Sequence, residues 1–444
     1  MGTSRIFRPI ALLLGSALAL SVSGCGSPSE AGVEAKSTDI TAAIDGQELT
    51  YWSMWKEGEP QQKILATAIA DFEKETGASV KVQWQGRSST EKLVPALNTN
   101  NVPDIVDGAF AKLAPVIGDT GQGLGLAATY DASVDGKKVS DLIPEKYLAN
   151  AAITGEDGQP WMLPYSFSSD GFWFNEATHP NLASAPPKTW DDFVSTLDEL
   201  KKAGEVPLAA DGDIGGYNST WFITLMQRYG GPGAFKELAS DKSGAGWDSP
   251  EVLDAARKVE SLVKGGYLIN GYDSSKWPAQ QQLWATGKAA LLLNGSWLPT
   301  ETAPYATPGF QYSSFQFPTV GDKAASVRAD FVGFAIPKKA KNAAAAQQLA
   351  LFMLNKKYQD AYGTEAKVLP IRADAATSPE MATIKTALDA ATEVHQAFDG
   401  VVFPGYLDKV FNPKNDQLFL GKISAGTFVQ EMKQAQTQYW KDNG

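Results

Sequence analysis

In the first quarter of the chain, segments with the hydrophobic period of a helix alternate with segments that have the period of a strand. A helical period through residues 65–72 predicts an amphipathic helix. Alternating apolar residues on either side predict strands at 49–53 and 80–84. A further helix at 91–100 then leads into a short buried strand at 104–106. This order predicts parallel strands joined by crossover helices, as at the start of a doubly wound sheet.

A second α/β pattern occupies the middle of the chain. Thr189 can cap a helix, and Asp192 at its third position interacts favourably with the helix dipole. Residues 289–294 predict a strand, and stripes at 349–353 and 428–439 predict two late helices. The residues behind the Thr189 cap form one apolar stripe, which predicts a helix packed on a core. This stripe consists of Trp190, Phe193, Val194, Leu197 and Leu200.

The first 25 residues have the pattern of an exported lipoprotein. Arg5 and Arg8 precede an apolar run at 10–20. As a helix this run would reach roughly 17 Å, less than a hydrocarbon core of about 30 Å, so it is typical of a signal peptide. Residues 22–25, Val-Ser-Gly-Cys, resemble the bacterial lipobox, in which the cysteine receives a diacylglycerol.

We therefore expect a signal peptide at 1–24, a lipid on Cys25 and a flexible tether at 25–39. This arrangement would anchor the protein at the outer face of the cytoplasmic membrane. Ordinary signal cleavage and a free thiol are the alternatives.

Composition argues against several kinds of partner. The chain has 39 Lys and Arg against 50 Asp and Glu, a formal net charge of −11, which argues against nucleic acid or an anionic lipid surface as the main partner. Two histidines and one cysteine leave no transition-metal cluster, so we expect neither a metal nor a cofactor. Twelve Trp, 14 Tyr and 20 Phe exceed what cores require and indicate a stacking ligand.

Five short stretches occur in an order that is typical of one protein family. They are FEKETG at 72–77, VPDIV at 102–106, GQPWMLPY at 158–165 with FN at 174–175, PKTWDDF at 187–193, and a last group of GKAA at 287–290, NGSW at 294–297 and GFAIPKK at 333–339. Together they resemble the family-1 extracellular sugar-binding proteins, a group that includes maltose- and oligosaccharide-binding lipoproteins.

The resemblance implies the α/β type II periplasmic-binding-protein fold. Two lobes, each a five-stranded doubly wound sheet, would be joined by a hinge that the chain crosses three times, near 165–168, 317–320 and 355–358. The first lobe would comprise 40–166 plus 319–355, and the second 167–318 plus 356–444. Gly108 and Ser168 depart from residues found in some relatives, so α-glucan specificity does not carry over.

The implied function is that of a monomeric, non-catalytic carrier, which binds a mono- or short oligosaccharide between its lobes and delivers it to the permease of an ABC importer. A sugar needs aromatic rings for its C–H face and charged partners for its hydroxyls. The aromatic candidates are Trp55, Trp221, Trp297 and Tyr406. The polar candidates are Glu57, Arg87, Asp107, Asp170 and Asp330, with Ser168 at the hinge.

Two other functions stay open at this point. A secreted glycoside hydrolase needs only two carboxylates at a suitable separation, which a sequence cannot exclude. The same fold could also bind a polyol or another non-sugar solute.

Overall fold

The computed structural model describes residues 38–99, 101–148, 153–155, 157–321 and 325–444. The predicted signal peptide, Cys25 and nearly all of the predicted tether lie outside these ranges. In the described ranges no helix combines the length and the apolar character needed to cross a membrane.

The described strands form two main sheets and two short pairs. The strands are β1 (Glu48–Ser53), β2 (Ser79–Trp84), β3 (Ile105–Ala109), β4 (Ser133–Val134), β5 (Lys137–Lys138), β6 (Met162–Ser168), β7 (Asp170–Asn175), β8 (Leu208–Ala209), β9 (Leu291–Gly295), β10 (Tyr312–Phe315), β11 (Val327–Arg328), β12 (Asp330–Ala335), β13 (Leu369–Pro370) and β14 (Val394–His395).

The described helices flank these sheets. They are α1 (Pro60–Thr76), α2 (Ser89–Leu97), α3 (Phe110–Leu113), α4 (Ala127–Asp131), α5 (Val139–Leu142), α6 (Glu145–Leu148), α7 (Pro180–Ser184), α8 (Trp190–Lys202), α9 (Gly215–Gly230), α10 (Ala234–Ser240), α11 (Pro250–Lys264), α12 (Ala279–Ala285), α13 (Leu298–Thr302), α14 (Ala343–Phe352), α15 (Lys356–Thr364), α16 (Ala382–Ala390), α17 (Asn412–Phe419) and α18 (Ala425–Asn443).

The first sheet has the strand order β13-β6-β12-β3-β1-β2. Strand β1 pairs in parallel with both β2 and β3, which confirms the predicted crossover arrangement. Strand β12 runs antiparallel between β3 and β6. The sheet thus has six strands in the described part of the chain, where the resemblance implied five.

The second sheet has the order β10-β7-β9-β8. Strand β7 is antiparallel to β9 and β10, and β8 is parallel to β9. Four strands are described here, again different from the implied five. The carboxyl ends of β8 and β9 lie at one edge, which is where ligands of open α/β sheets bind.

Local signals explain where two helices begin and end. Helix α1 buries one apolar face and stops at Gly77, whose φ of +73° places it in the left-handed region. A Cβ on Gly77 would lie 2.0 Å from Oδ1 of Asp45, so only glycine fits this turn. Helix α8 begins with the predicted capping box: the Asp192 amide donates to Oγ1 of Thr189, and the Thr189 amide donates to the Asp192 carboxylate.

The chain passes between the two main sheets three times. The first crossing is Ser169, between β6 and β7, and the second leads from β10 to β12. The third follows Pro370, at the end of β13. It leads into the hydrophobic core that packs on the second sheet, which the chain enters at Val401. Strand β11 on the second crossing pairs with β14 on the third, so the two crossings are joined by hydrogen bonds.

The predicted third crossing at 355–358 is wrong. Helix α15 packs against α1, and the Tyr358 hydroxyl donates to Asp71 at 2.8 Å. Strand β13 then pairs with β6 inside the first sheet. Residues 356–370 therefore belong with the first sheet and not, as predicted, with the second lobe.

Candidate functional site

A stacked aromatic pair lies beyond the carboxyl end of β9. The half-buried indole of Trp297 stacks on Tyr217, with ring centroids 6.2 Å apart and planes inclined by 25°. Its Nε1 donates to the Tyr217 hydroxyl at 3.3 Å. A Cβ on Gly295 would lie 2.2 Å from the indole, so glycine at the strand end allows the ring to fold back.

Tyr217 comes from the first turn of α9, which starts after Ile214. Burial raises the pKa of Tyr217 to about 12, so its hydroxyl stays protonated at neutral pH. The pair therefore offers a neutral aromatic surface with one hydroxyl.

An ion group lies beside this pair, on the strands that enter and leave the hinge. Arg328 on β11 donates to Asp170 at 3.4 Å and to Asp330 at 3.2 Å. Its guanidinium carbon lies 5.8 Å from the centre of the Trp297 ring. Burial raises the pKa of Asp330, although Arg328 counteracts this effect. Burial alone would lower the pKa of Arg328, but Asp330 and Asp170 raise it, so it remains a cation.

The aromatic pair and the ion group share a cavity of about 140 Å³, which Trp297, Tyr217, Asp170 and Arg328 help to line. An adjoining cavity of about 20 Å³ shares Asp170 and Arg328 with it.

The small cavity also shares His395 and Gln396 with a third cavity of about 540 Å³. Phe110 and Lys146, which pack on the side of the first sheet, and Lys236, which packs on the side of the second, line this third cavity. The three cavities thus adjoin one another, the third lies between the two sheets, and together they are called the cleft.

Phe398 closes one wall of the cleft in a strained conformation. Phe398 and Asp399 have φ angles of +53° and +55°, which non-glycine residues rarely adopt. The Asp399 carboxylate holds this turn by accepting from the amides of Gly233 and Phe235 and from Nε2 of Gln227, at 2.8 to 2.9 Å. Backbone strain of this kind is retained where surrounding bonds over-determine a conformation, often at functional sites.

Of the predicted residues, Trp297, Asp170 and Asp330 lie close together in the structure. Ser168 is half-buried and pairs with Asp330 across β6 and β12 at the same edge. Of the predicted residues, Trp297 and Asp170 thus line the cleft, and Asp330 and Ser168 lie beside it.

Trp221 and Tyr406 are corrections, because both are core residues. Trp221 is only 3% exposed and packs against Phe172 and Phe419. Tyr406 is fully buried, and its hydroxyl donates to Gln436. Helix α9 turns Tyr217 toward the cavity and Trp221 toward the sheet, so the glycine-rich segment reaches the cavity through Tyr217 and not, as predicted, through Trp221.

Apart from Asp330, the predicted residues of the first lobe lie away from the Trp297 cavity, and three of them, Trp55, Arg87 and Asp107, form a separate group. The Trp55 indole donates to the Tyr165 hydroxyl, and that hydroxyl donates to Asp107, both at 2.7 Å. Arg87 lies over the Trp55 ring at 4.5 Å and pairs with Glu59 at 3.0 Å, while Glu57 is exposed.

Asp107 is a correction, because it is 1% exposed and serves as a buried hydrogen-bond acceptor rather than a free hydroxyl partner. Burial raises its pKa to about 6, and the hydroxyl of Tyr165 and the amide of Met54 partly offset this effect.

Sequence reasoning missed Tyr217, Arg328 and Phe398. Arg328 stands two residues before Asp330 on an extended segment, a spacing that places both on one face and could have revealed the ion group. Tyr217 is in the same glycine-rich segment as Trp221. For Phe398 the sequence contains no signal that we recognise. Among the described residues, no group of His, Cys, Asp and Glu side chains is arranged to hold a metal ion.

Known proteins with similar sequences are named as saccharide-binding proteins. A diacetylchitobiose-binding protein from Streptomyces coelicolor is 24% identical over 344 residues, which cover 74% of this chain and 70% of that protein. A galactooligosaccharide-binding protein from Bacillus subtilis is 23% identical over 382 residues, covering 83% and 81% of the two chains.

Solved structures share the fold. A chitin oligosaccharide binding protein has a TM-score of 0.70 at 20% identity and covers 89% of this chain and 99% of its own. The apo form of RafE from Streptococcus pneumoniae has a TM-score of 0.73 at 16% identity, with coverages of 89% and 98%. The two-lobed type II fold is therefore the fold of this chain.

The family model described as bacterial extracellular solute-binding protein matches residues 56–360. This match spans more than half of the chain and includes the second sheet, most of the first sheet, the Trp297 pair and the ion group. The chain belongs to the family of bacterial extracellular solute-binding proteins.

Proposed function

We propose that this protein is the sugar-binding component of an ABC importer, which holds a mono- or short oligosaccharide in the cleft and delivers it to the permease. The observation that carries this proposal is the stacked pair of Trp297 and Tyr217 beside Arg328 and Asp170. Two relatives support this proposal, because their names describe binding proteins for oligosaccharides.

The chemistry of the cleft suits a sugar ring. The C–H face of a pyranose is apolar and packs on an indole, while its hydroxyls require donors and acceptors in fixed positions. Trp297 supplies the apolar surface, Arg328 supplies donors, and the Asp170 carboxylate supplies acceptors, while Asp330 holds Arg328 in place. A polar group that the ligand leaves unpaired costs affinity, so such a site discriminates between sugars by hydroxyl geometry.

We infer that the protein does not turn over its ligand. Asp170 and Asp330 bind the same guanidinium, whereas a glycoside hydrolase uses one carboxyl as acid and the other as nucleophile or base. Chromatography of a saccharide after long incubation with the protein should return it unchanged. Steady accumulation of product would favour the hydrolase.

The experiment that tests the proposed function is a thermal-shift screen followed by calorimetry. The probes are diacetylchitobiose, longer chitin oligosaccharides, raffinose and galacto-oligosaccharides, with polyols and quaternary ammonium solutes as the comparison set. A ligand at 100 times its Kd stabilises the native state by about 2.7 kcal/mol. Stabilisation by a polyol or an ammonium solute and by none of the saccharides would overturn the sugar assignment.

We also propose that Cys25 carries the lipid that holds a monomeric protein at the outer face of the cytoplasmic membrane. The lipobox-like sequence at 22–25 supports this proposal. Cys25→Ser should shift the protein from the membrane fraction to the medium, or leave its leader uncleaved, without changing ligand binding by the purified protein. A variant that remains acylated and membrane-bound would contradict the assignment.

A further inference from the structure

One tryptophan lies outside both cores and outside the cavity. Of the chain's twelve tryptophans, all of which lie in the described ranges, only Trp277 is exposed, with 46% of its surface accessible. An indole left in water forgoes the favourable burial that large aromatic side chains otherwise gain. Its position therefore calls for a physical explanation.

The backbone that carries Trp277 is fixed in place. Its amide donates to both carboxylate oxygens of Asp213, at 3.0 and 3.2 Å. Three residues later, the amide of Gln280 donates to Asp211 at 3.0 Å. The exposed ring is thus carried by the segment Trp277–Gln280, and a carboxylate holds each end of this segment.

Both carboxylates belong to the loop at residues 211–214, which follows β8 and is called the partner loop. Its backbone directly contacts the chain segment that leads to Trp277. The amide of Gly212 donates to the Tyr272 carbonyl at 3.2 Å, and a Cβ on Gly212 would lie 2.4 Å from that carbonyl oxygen. Glycine is required for this close approach, so the two loops are placed as one unit.

The same partner loop forms part of the wall of the ligand cavity. Ile214, the residue after Asp213, lines the 140 Å³ cavity, and Tyr217 follows three positions later. The Trp277 amide is hydrogen-bonded to Asp213, the neighbour of Ile214, so the backbone of Trp277 adjoins this wall. An exposed aromatic ring on a fixed backbone, near a cavity that already contains a stacking pair, has the properties of an additional stacking site.

We propose that Trp277 stacks on a further sugar unit of a ligand that extends out of the Trp297 cavity, so that the protein prefers oligosaccharides to the short sugars that fill the cavity alone. This inference rests on the proposed function. The ordered loop means that little conformational entropy is lost when the ring is covered, which favours affinity. Covering the indole also removes apolar surface from water.

Calorimetry with a series of chitin oligosaccharides of two to five units tests the inference, and raffinose with stachyose provides a second series. In the wild type, affinity should rise with chain length. Trp277→Ala should lower the affinity for the longest members by about tenfold or more and leave the affinity for the shortest unchanged. The steep dependence on chain length should therefore disappear in this variant.

Tyr305→Ala is the matched control. Tyr305 is equally exposed, at 48%, and belongs to the same half of the molecule. It lies near the far end of α12, where the Thr307 amide donates to Ala285, whereas Trp277 precedes that helix. Seven residues of helix separate the two ends by about 10 Å. Loss of an exposed aromatic ring at Tyr305 should change neither series.

A second measurement does not depend on a folded variant. N-bromosuccinimide oxidises exposed indoles, and peptide mass spectrometry reports the modification of each tryptophan. The longest oligosaccharide should protect Trp277 in the wild type, whereas the shortest should protect Trp297 and leave Trp277 reactive. Equal oxidation of Trp277 with and without saturating long ligand would overturn the inference.

The remaining outcomes separate the two proposals. If Trp297→Ala loses affinity for every length while Trp277→Ala keeps the full series, the sugar-binding function stands and the outer site is wrong. If Trp277→Ala impairs only uptake by cells, the ring contacts the permease and the inference is again wrong. If no saccharide binds the wild type, the proposed function fails and the inference fails with it.

Discussion

Arg328 pairs with two carboxylates beside the cleft. Its guanidinium pairs with Asp170 and Asp330 and also lies over the Trp297 ring. A buried cation without such partners would be costly, and so would either buried carboxylate. A ligand that enters this cavity meets a cation that is already paired with two carboxylates, so the site suits neutral hydroxyls better than a carboxylate of the ligand.

Trp297→Ala should weaken binding of the saccharide identified in the screen by at least about thirtyfold, because truncation of a central aromatic contact typically costs about 2 kcal/mol or more. Calorimetry of the purified variant measures this loss. The free energy of unfolding of the ligand-free protein should change little, since the indole is only half-buried.

Trp221→Ala should show the opposite pattern, which is a loss of stability with little loss of affinity. Trp221 is 3% exposed in the aromatic core, and removal of a buried tryptophan costs about 3–5 kcal/mol of stability. Unchanged affinity in Trp297→Ala, together with normal folding, would remove Trp297 from the set of ligand contacts.

Asp107 should make stability depend on pH. Its pKa is raised to about 6 by burial, whereas aspartate in an unfolded chain titrates near about 3.9. Between about pH 4 and pH 6 the native state therefore holds a proton that the unfolded state lacks, and this contribution to stability falls as pH rises.

Urea unfolding of wild type and Asp107→Asn from pH 4 to pH 7 measures this effect. The free energy of unfolding of the wild type, minus that of the variant, should decrease as pH rises through this range. The exposed Asp191→Asn serves as the control and should lack this trend. A wild-type minus Asp107→Asn difference that is the same at every pH would contradict the prediction.

At the residue scale, the sequence identified strand ends better than helix faces. Trp297 could be predicted because it follows a Gly-Ser turn directly after a strand. The choice between Tyr217 and Trp221 could not be made from the sequence, because both lie on α9 and the rotation of the helix depends on Phe172 and Phe419, which are distant in the chain.

At the scale of elements, α9 links the cavity to the hinge. Its first turn carries Tyr217, and its last turn carries Arg228. Arg228 is 2% exposed and donates to three backbone carbonyls, those of Phe317, Pro318 and Ser326, at 3.1 to 3.3 Å. One helix thus contacts the stacking site and both ends of a segment of the second crossing.

Arg228→Lys should destabilise the protein by about 3 kcal/mol or more, because lysine cannot reach all three carbonyls and buried acceptors are left unsatisfied. Urea unfolding measures the loss. Arg257→Lys, at an exposed position of α11, is the matched control and should be nearly neutral. Equal stability of both variants would show that the carbonyl contacts contribute little.

The same scale shows why the hinge was only partly predicted. Helices α1 and α8 have long apolar stripes with clear end signals, and the structure has both. Strands β11, β13 and β14 are two residues long and are defined only by partners far away in the chain. Because a two-residue strand has no detectable period, the third crossing was placed too early.

At the scale of the whole molecule, ligand binding should change the relative orientation of the two lobes. Binding energy shifts an open–closed balance only through the difference in affinity for the two states, and a shift from 1:99 to 99:1 needs about 5.5 kcal/mol. Small-angle scattering should therefore show a smaller radius of gyration at saturating saccharide. Trp297→Ala at the same saccharide concentration should keep the ligand-free value. Identical curves for wild type with and without ligand, at saturation shown by calorimetry, would contradict closure.

The pairing of β11 with β14 restricts how such a movement can occur. Val327 pairs with Val394, and Arg328 with His395, so the second and third crossings cannot twist independently. Together with the single residue Ser169 at the first crossing, this pairing favours rotation of the two lobes about one axis. An importer that contacts both lobes would then detect a single angle between them, narrower when the carrier has closed on its cargo and wider when it is open.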